Sequence, residues 1–258
     1  MGYLNKVDIR DWEGQVLKNK LGLNFKIIDY VNSKEVKVEF IDSGFKKTCQ
    51  MKEVRTGAIK DTSKPSVMGV GIVGNKYPTK CEVTQSNTRE YEAWSGLLKR
   101  CYSKSLLKRR PTYLECTASE NFKHYEYFYE WCQNQIGFNE RWNLDKDVLV
   151  KGNKVYSEET CVFIPDEINC ALCKTDKLRG KFPIGVHWDT NKKVFIAQVN
   201  RGKGCQEYLG NFTTPEKAFE VYKQAKETYL KDLAEKWMSL VDERVYYALM
   251  NYQVQTTD

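Results

Sequence analysis

The chain has 258 residues, 41 basic against 34 acidic side chains, a net charge of +7 and a hydrophobic content of 41%. That is enough apolar material for one large domain or two to three small ones, and no apolar run approaches the roughly 18 residues a membrane helix needs. The opening MGYLNKVDIRDWEG carries acids and no apolar core, which excludes a secretory signal and leaves the nine scattered cysteines as expected reduced thiols in a cytoplasmic protein.

The first module spans 1–66 and alternates with period two. NFKIIDYV and EVKVEFIDSGF read as strands joined by NSKE, and KKTCQMKEVRTGAIKD adds one or two more with a glycine turn. This pattern predicts a small twisted β-barrel or half-barrel, of a kind that docks nucleic acid or peptide. Its Lys46, Lys47, Lys52 and Arg55 face either DNA or solvent. KDTSKPS, Lys60 to Ser66, reads as a linker because its Pro, Ser and charges offer nothing to bury.

The second module, 67–178, begins with VMGVGIVGNKYP. Its G-x-G-x-x-G spacing is not followed by a helix that could present its N-terminus to a phosphate, so the glycines read as structural. NTREYEAWSGLLKRCYS predicts an amphipathic helix with Tyr91, Trp94, Leu97, Leu98 and Tyr102 on one face. SENFKHYEYFYEWCQNQI predicts a second, with Ser119 as N-cap and Phe122, Tyr125, Phe128, Tyr129 and Cys132 inward. His124 sits beside that face and reads as structural or solvated. Cys170 and Cys173 form a lone CxxC. Four-coordinate zinc would need two more ligands, and the two histidines, His124 and His187, are far away in sequence.

In the third module, 179–240, FPIGVHWDT, KVFIAQVNRG and QEYLGNFTT read as three strands backed by the helix PEKAFEVYKQAKETYLKDLAEKW, with Pro215 behind a Thr cap. Residues 241–258 close the chain as a helix or tail. Phe195, Ala197 and Val199 fit the helix side of the sheet, and Ile196, Gln198 and Asn200 the open side. That open face gathers His187 and Tyr208, with Lys192, Lys193, Arg201 and Lys203 at its rim. Polar groups that can read base edges, ringed by cations that can hold phosphate, suit a sheet that enters the major groove of double-stranded DNA; a solvated sheet face is the alternative. The basic surplus points the same way, since LKRRP at Leu107 to Pro111, KTDKLRGK at Lys174 to Lys181, TNKK at Thr190 to Lys193 and NRGKG at Asn200 to Gly204 are all loop-like.

GVHWDTNKKVFIAQV, followed by YLGNFTTPEKAFEVYKQA, resembles the APETALA2-type DNA-binding domain in the form fused to phage HNH endonucleases. The resemblance implies that His187, Gln198, Asn200 and Tyr208 lie nearest the bases. NLDKDVLVKGNKVYSEETCVFIPDEIN is similar to the ββα-metal finger of the phage HNH homing-endonuclease family: a strand, a Gly-Asn loop, a strand ending at CVFIP, and a helix entered through DEIN. Laid on that pattern, Asp145 and Asn169 would bind one Mg²⁺ or Mn²⁺ ion. Lys146 stands where the family carries its catalytic His, and Thr160 where it carries the Asn that steadies it. An ordinary lysine, with a pKa of about 10.4, is protonated at neutral pH and cannot accept a proton. Neighbouring Asp145 and Asp147 further favour its charged form. Lys146 is therefore expected to contact the scissile phosphate.

The expectation is an α+β protein: a small N-terminal β-barrel-like module, a central HNH-like ββα-metal domain with flanking helices, and a C-terminal three-stranded sheet plus helix of APETALA2 type. The resemblance implies a phage or mobile-element origin, the host bacterial cytoplasm, double-stranded DNA as partner and site-specific endonuclease or nickase activity. Two alternatives stand beside it. One is a DNA-binding protein that has lost cleavage and acts as a repressor, competitor or anti-defence factor. The other is an interaction module whose N-terminal domain binds a host protein.

Overall fold

The computed structural model describes residues 12–173, 181–202 and 204–256. The chain is mixed α+β and divides into two compact units, Met1–Arg109 with Lys123–Tyr129, and Arg110–Phe122 with Glu130–Asp258. Among the described residues no helix is long and apolar enough to cross a membrane. All nine cysteines are thiols outside any disulfide.

In the first unit, β1 (Val16–Lys18), β2 (Asn24–Asn32), β3 (Glu35–Phe40) and β4 (Lys46–Cys49) form an antiparallel sheet in sequence order. Period-two alternation puts Phe25, Ile27, Val36, Val38 and Phe40 into one core while Lys26 and Lys37 stay exposed. Each such burial contributes about 1.5–3 kcal/mol. The sheet is open, with β1 and β4 at its two edges, so the expected barrel does not close. A helix covers the core instead: α1 (Met51–Thr56) supplies Met51 and Val54. This segment was expected to be strand. The Glu53 carboxylate accepts the Gln50 N–H at 3.0 Å, and Gly57, at φ 63°, stops the helix in the left-handed conformation.

The expected linker does bury a group. Asp61 is 8% exposed and accepts hydrogen bonds from Ser43 Oγ at 2.6 Å, Ser63 Oγ at 2.6 Å and Ser63 N at 3.0 Å. Beyond it, the glycine-rich stretch is structural: a Cβ on Gly71 would lie 2.4 Å from Leu98 Cδ1, so only glycine lets the backbone approach that side chain. Leu98 belongs to α2 (Arg89–Tyr102), which starts where the Thr88 side chain accepts the Tyr91 N–H, and which buries Trp94, Leu97, Leu98 and Cys101. A short basic helix, α3 (Lys104–Arg109), follows.

The helix expected from Ser119 begins later. Ser119 Oγ caps only a 3-10 turn at Asn121–Lys123, accepting from Phe122 N at 3.2 Å, and α4 runs Tyr125–Gln133. The backbone of Ile72 donates to Lys123 O and accepts from Tyr125 N, both at 2.9 Å, and so takes groups a continuous helix would have used. Phe122, Tyr125, Phe128 and Cys132 are fully buried, and His124 is exposed.

In the second unit, β5 (Thr117–Ala118) pairs in parallel with β7 (Val155–Tyr156), and β6 (Asn143–Asp145) pairs antiparallel with β8 (Val162–Ile164), which leads into α5 (Asp166–Leu172). The C-terminal sheet has β10 (Val194–Asn200) between β9 (Val186–Asp189) and β11 (Gln206–Phe212), all antiparallel. Thr214 caps α6 (Pro215–Trp237), and α7 (Glu243–Met250) follows. Two cores share α6. Its Ala218 and Tyr222 pack with Val186, Ala197 and Val199 of the sheet. Its Leu230, Leu233 and Ala234 pack with Val162, Ile164, Ile168, Val245 and Leu249.

Candidate functional site

The strand–loop–strand–helix stretch builds one pocket of about 490 Å³. Asp145 reaches it from the end of β6, Lys146 and Asp147 from the loop, and Asn169 from α5, so residues 24 apart in sequence share one cavity. Asp145 Oδ1 accepts the backbone N–H groups of Asp147 and Val148, both at 2.7 Å, which pins the carboxylate at the loop entrance. Burial pushes its carboxyl above the usual carboxylate range, while those two N–H groups pull the other way.

Lys146 lines the pocket, but its Nζ is bonded back into its own loop. It is 5% exposed, and its Nζ donates to Asp147 Oδ1 and Oδ2, both at 2.7 Å, and to the Asn153 carbonyl at 2.6 Å. Its donors are spent on three acceptors of its own loop, which leaves none for a phosphate oxygen. The loop around Lys146 is closed by a residue the sequence reading took no further than a Gly-Asn turn. Asn153 Nδ2 donates to Lys146 O at 2.8 Å and Val155 O at 2.6 Å, and its Oδ1 accepts from Val155 N at 3.0 Å. Thr160, matched in sequence to the steadying Asn, donates to Val155 O at 2.8 Å. It fastens the same peptide group as Asn153 rather than Lys146.

Helix α5, and with it Asn169, is held against α6 near both ends. The Glu167 carboxylate accepts from Lys236 Nζ at 2.8 and 2.6 Å and from Trp237 Nε1 at 2.9 Å. At the other end Lys226 Nζ donates to Ala171 O at 2.6 Å. Burial pulls the Lys226 amine down from its ordinary 10.5 to about 8. Among the described residues no three His, Cys, Asp or Glu side chains come together as a metal site. A cation here would rest on the oxygens of Asp145 and Asn169, with water and phosphate oxygens completing its shell. That hard, two-oxygen donor set fits Mg²⁺ or Mn²⁺, whereas the exposed thiols of Cys170 and Cys173 suit softer ions.

The second set of candidate residues lies on the C-terminal sheet. Directly paired residues share a face, and the register sets Ile196 opposite His187, Gln198 opposite Tyr208 and Asn200 opposite Gln206. His187, Gln198, Asn200 and Tyr208 are thus on one face, away from the core that takes Ala197 and Val199. His187, Asn200 and Tyr208 are exposed, Tyr208 at 54%, and Gln198 is half-buried. Ile196, expected on the open side, is only 8% exposed. Gln206 was missed, although a step of two from Tyr208 puts it on the same face.

The rim cations differ among themselves. Lys192 and Lys193 are exposed on the turn between β9 and β10, where Asp189 Oδ1 accepts the N–H groups of Asn191 at 2.9 Å and Lys192 at 3.0 Å. Arg201 is engaged internally: its Nε binds Glu207, a second nitrogen lies 3.9 Å from Asp232, and the guanidinium stands 5.5 Å over the Tyr229 ring. Lys203 lies outside the described residues, as does most of KTDKLRGK. No protein-family model, curated protein or solved structure matches this chain.

Proposed function

We propose that this protein is a metal-dependent, site-specific DNA endonuclease or nickase of the phage HNH homing type, acting in the host bacterial cytoplasm. The observation that carries the reading is the gathering of Asp145 and Asn169 in one cation-rimmed pocket, on a strand and a helix each fixed by its own hydrogen bonds. In this reading β6, β8 and α5 are an HNH-like ββα-metal finger, and β9 to β11 with α6 are an APETALA2-type reader of double-stranded DNA. Asp145 and Asn169 hold one Mg²⁺ or Mn²⁺ ion, which when bound supplies an acidified water and neutralises charge on the phosphate. Lys146 is a positioning residue: through Asp147 and Asn153 it fixes the loop that presents Asp145. His187, Gln198, Asn200, Gln206 and Tyr208 face the bases, and Lys192 and Lys193 face phosphate. The test is supercoiled plasmid or phage DNA incubated with Mg²⁺, Mn²⁺ or EDTA. Metal-dependent nicking that disappears in Asp145→Ala and Asn169→Ala is expected, and nicking retained by both variants would refute the assignment.

A second reading is favoured by one observation, the spent donors of Lys146, which leave no proton acceptor where the family carries its His. It is a DNA-binding protein without cleavage, acting as a repressor, competitor or anti-defence factor. Tight, salt-dependent duplex binding with no nicking in any divalent metal is its signature.

A further inference from the structure

Lys146 was the expected phosphate contact, and its ammonium is committed to Asp147 and Asn153. The anionic backbone that approaches Asp145 must then meet its counter-charge elsewhere. Other cations line the same cavity, among them Arg110, which enters just ahead of the 3-10 turn Pro111–Tyr113, and Lys154, from the loop before β7. Both are exposed, and neither is paired with a carboxylate among the described residues. Lys154 Nζ spends one hydrogen bond on Thr112 O at 3.2 Å, which ties the two segments together and leaves its charge uncompensated. Tyr113 and Tyr252 add aromatic surface to the same pocket. Cations interleaved with tyrosines around a carboxylate–amide pair match a phosphodiester chain with its sugar and base better than an apolar ligand.

We infer that Arg110 and Lys154 form a phosphodiester-binding clamp beside Asp145 and Asn169, doing for the nucleic-acid backbone what Lys146 cannot. The inference deepens the proposed nuclease reading and rests on it for the identity of the anion. The clamp grips the strand independently of sequence, since guanidinium and ammonium groups on phosphate read no base. It positions the backbone at the mouth of the pocket, and the sheet face supplies the choice of site.

The experiment measures binding of a mixed-sequence DNA duplex in EDTA across a salt series, for the wild-type protein, Arg110→Gln, Lys154→Gln and the double variant. Lys231→Gln, which removes the same charge from an exposed position on α6, is the control. Each lost phosphate contact lowers the slope of log K against log salt by about 0.9, so the double variant should lose about 1.8. Lys231→Gln should leave the slope unchanged. Arg110 makes no side-chain hydrogen bond among the described residues, so Arg110→Gln tests the clamp without disturbing the fold. Unchanged slopes in the variants, an equal loss in Lys231→Gln, or no duplex binding by the wild type would each overturn the inference. Binding in EDTA is read apart from cleavage, so an intact slope difference with no metal-dependent nicking would sink the nuclease reading and leave the clamp standing.

Discussion

Replacing Lys226 with methionine should stabilise the protein at neutral pH and cease to do so in alkali. The amine has an ordinary pKa of 10.5 and is pulled down to about 8 where it meets Ala171 O, with burial as the cause. Below about pH 8 both folded and unfolded states hold the proton, and folding must bury a charge. Between about 8 and 10.5 the unfolded state alone keeps it, so stability rises with pH across that window. At 1.36 kcal/mol per pH unit the interval corresponds to roughly 3 kcal/mol. The side chain is half-buried, and solvent screening reduces this to about 2 kcal/mol. Methionine removes the charge but gives up the hydrogen bond to Ala171 O, at about 1 kcal/mol. The variant should therefore be about 1 kcal/mol more stable at pH 7, and about 1 kcal/mol less stable near pH 10.5. Urea unfolding of both proteins at several pH values measures the difference directly. A difference that stays constant from pH 7 to 10.5 would refute the reasoning, because only a proton taken up on unfolding can make the curves cross.

Gly185 has φ 75°, and a Cβ there would stand 2.0 Å from the Tyr222 ring, so Gly185→Ala combines a left-handed strain of about 1–2 kcal/mol with a core clash. A thermal melt should show a loss of at least about 3 kcal/mol. Leu233→Ala empties part of the core that α6 shares with α5 and α7, and should cost about 2–5 kcal/mol by chemical denaturation. Asn153→Ala releases Lys146 O and Val155 N–H, while Val155 O keeps its bond from the Thr160 hydroxyl, at about 1–2 kcal/mol. Faster hydrogen exchange at Val155 N–H would report the freed loop, and unchanged protection would argue against the role given to Asn153.

The C-terminal sheet and α6 were legible because the apolar step of two through Phe195, Ala197 and Val199 and a Thr-Pro cap at Thr214 and Pro215 are local signals, although Ile196 breaks the alternation between them. The capping pair Gln50 and Glu53 was equally local. It went unread because the preceding alternation was carried one element too far. The two-residue strands Thr117–Ala118 and Val155–Tyr156 are too short to show any period, and only the tertiary pairing makes them strands. At the central site, the meeting of Asp145 and Asn169 in one pocket follows from the β6–β8 register and the helix after it, and a layout can foretell that much. The direction of Lys146 cannot be foretold, because it turns on whether a lysine between two aspartates bonds back into its own loop or out into the cavity. Arg110 belonged to a basic run already noticed, but nothing along the chain says that Pro111–Tyr113 passes beside Lys154.

Helix α6 carries the sheet at its beginning and α5 toward its end, so one rod of 23 residues, about 34 Å long at 1.5 Å per residue, spans both. If the sheet reads and the pocket cuts, the offset between the two events on DNA is gauged by a helix rather than by a tether. A tether would scatter breaks over several neighbouring phosphates; a rigid gauge yields one sharp product end at a fixed count of base pairs from the site that was read.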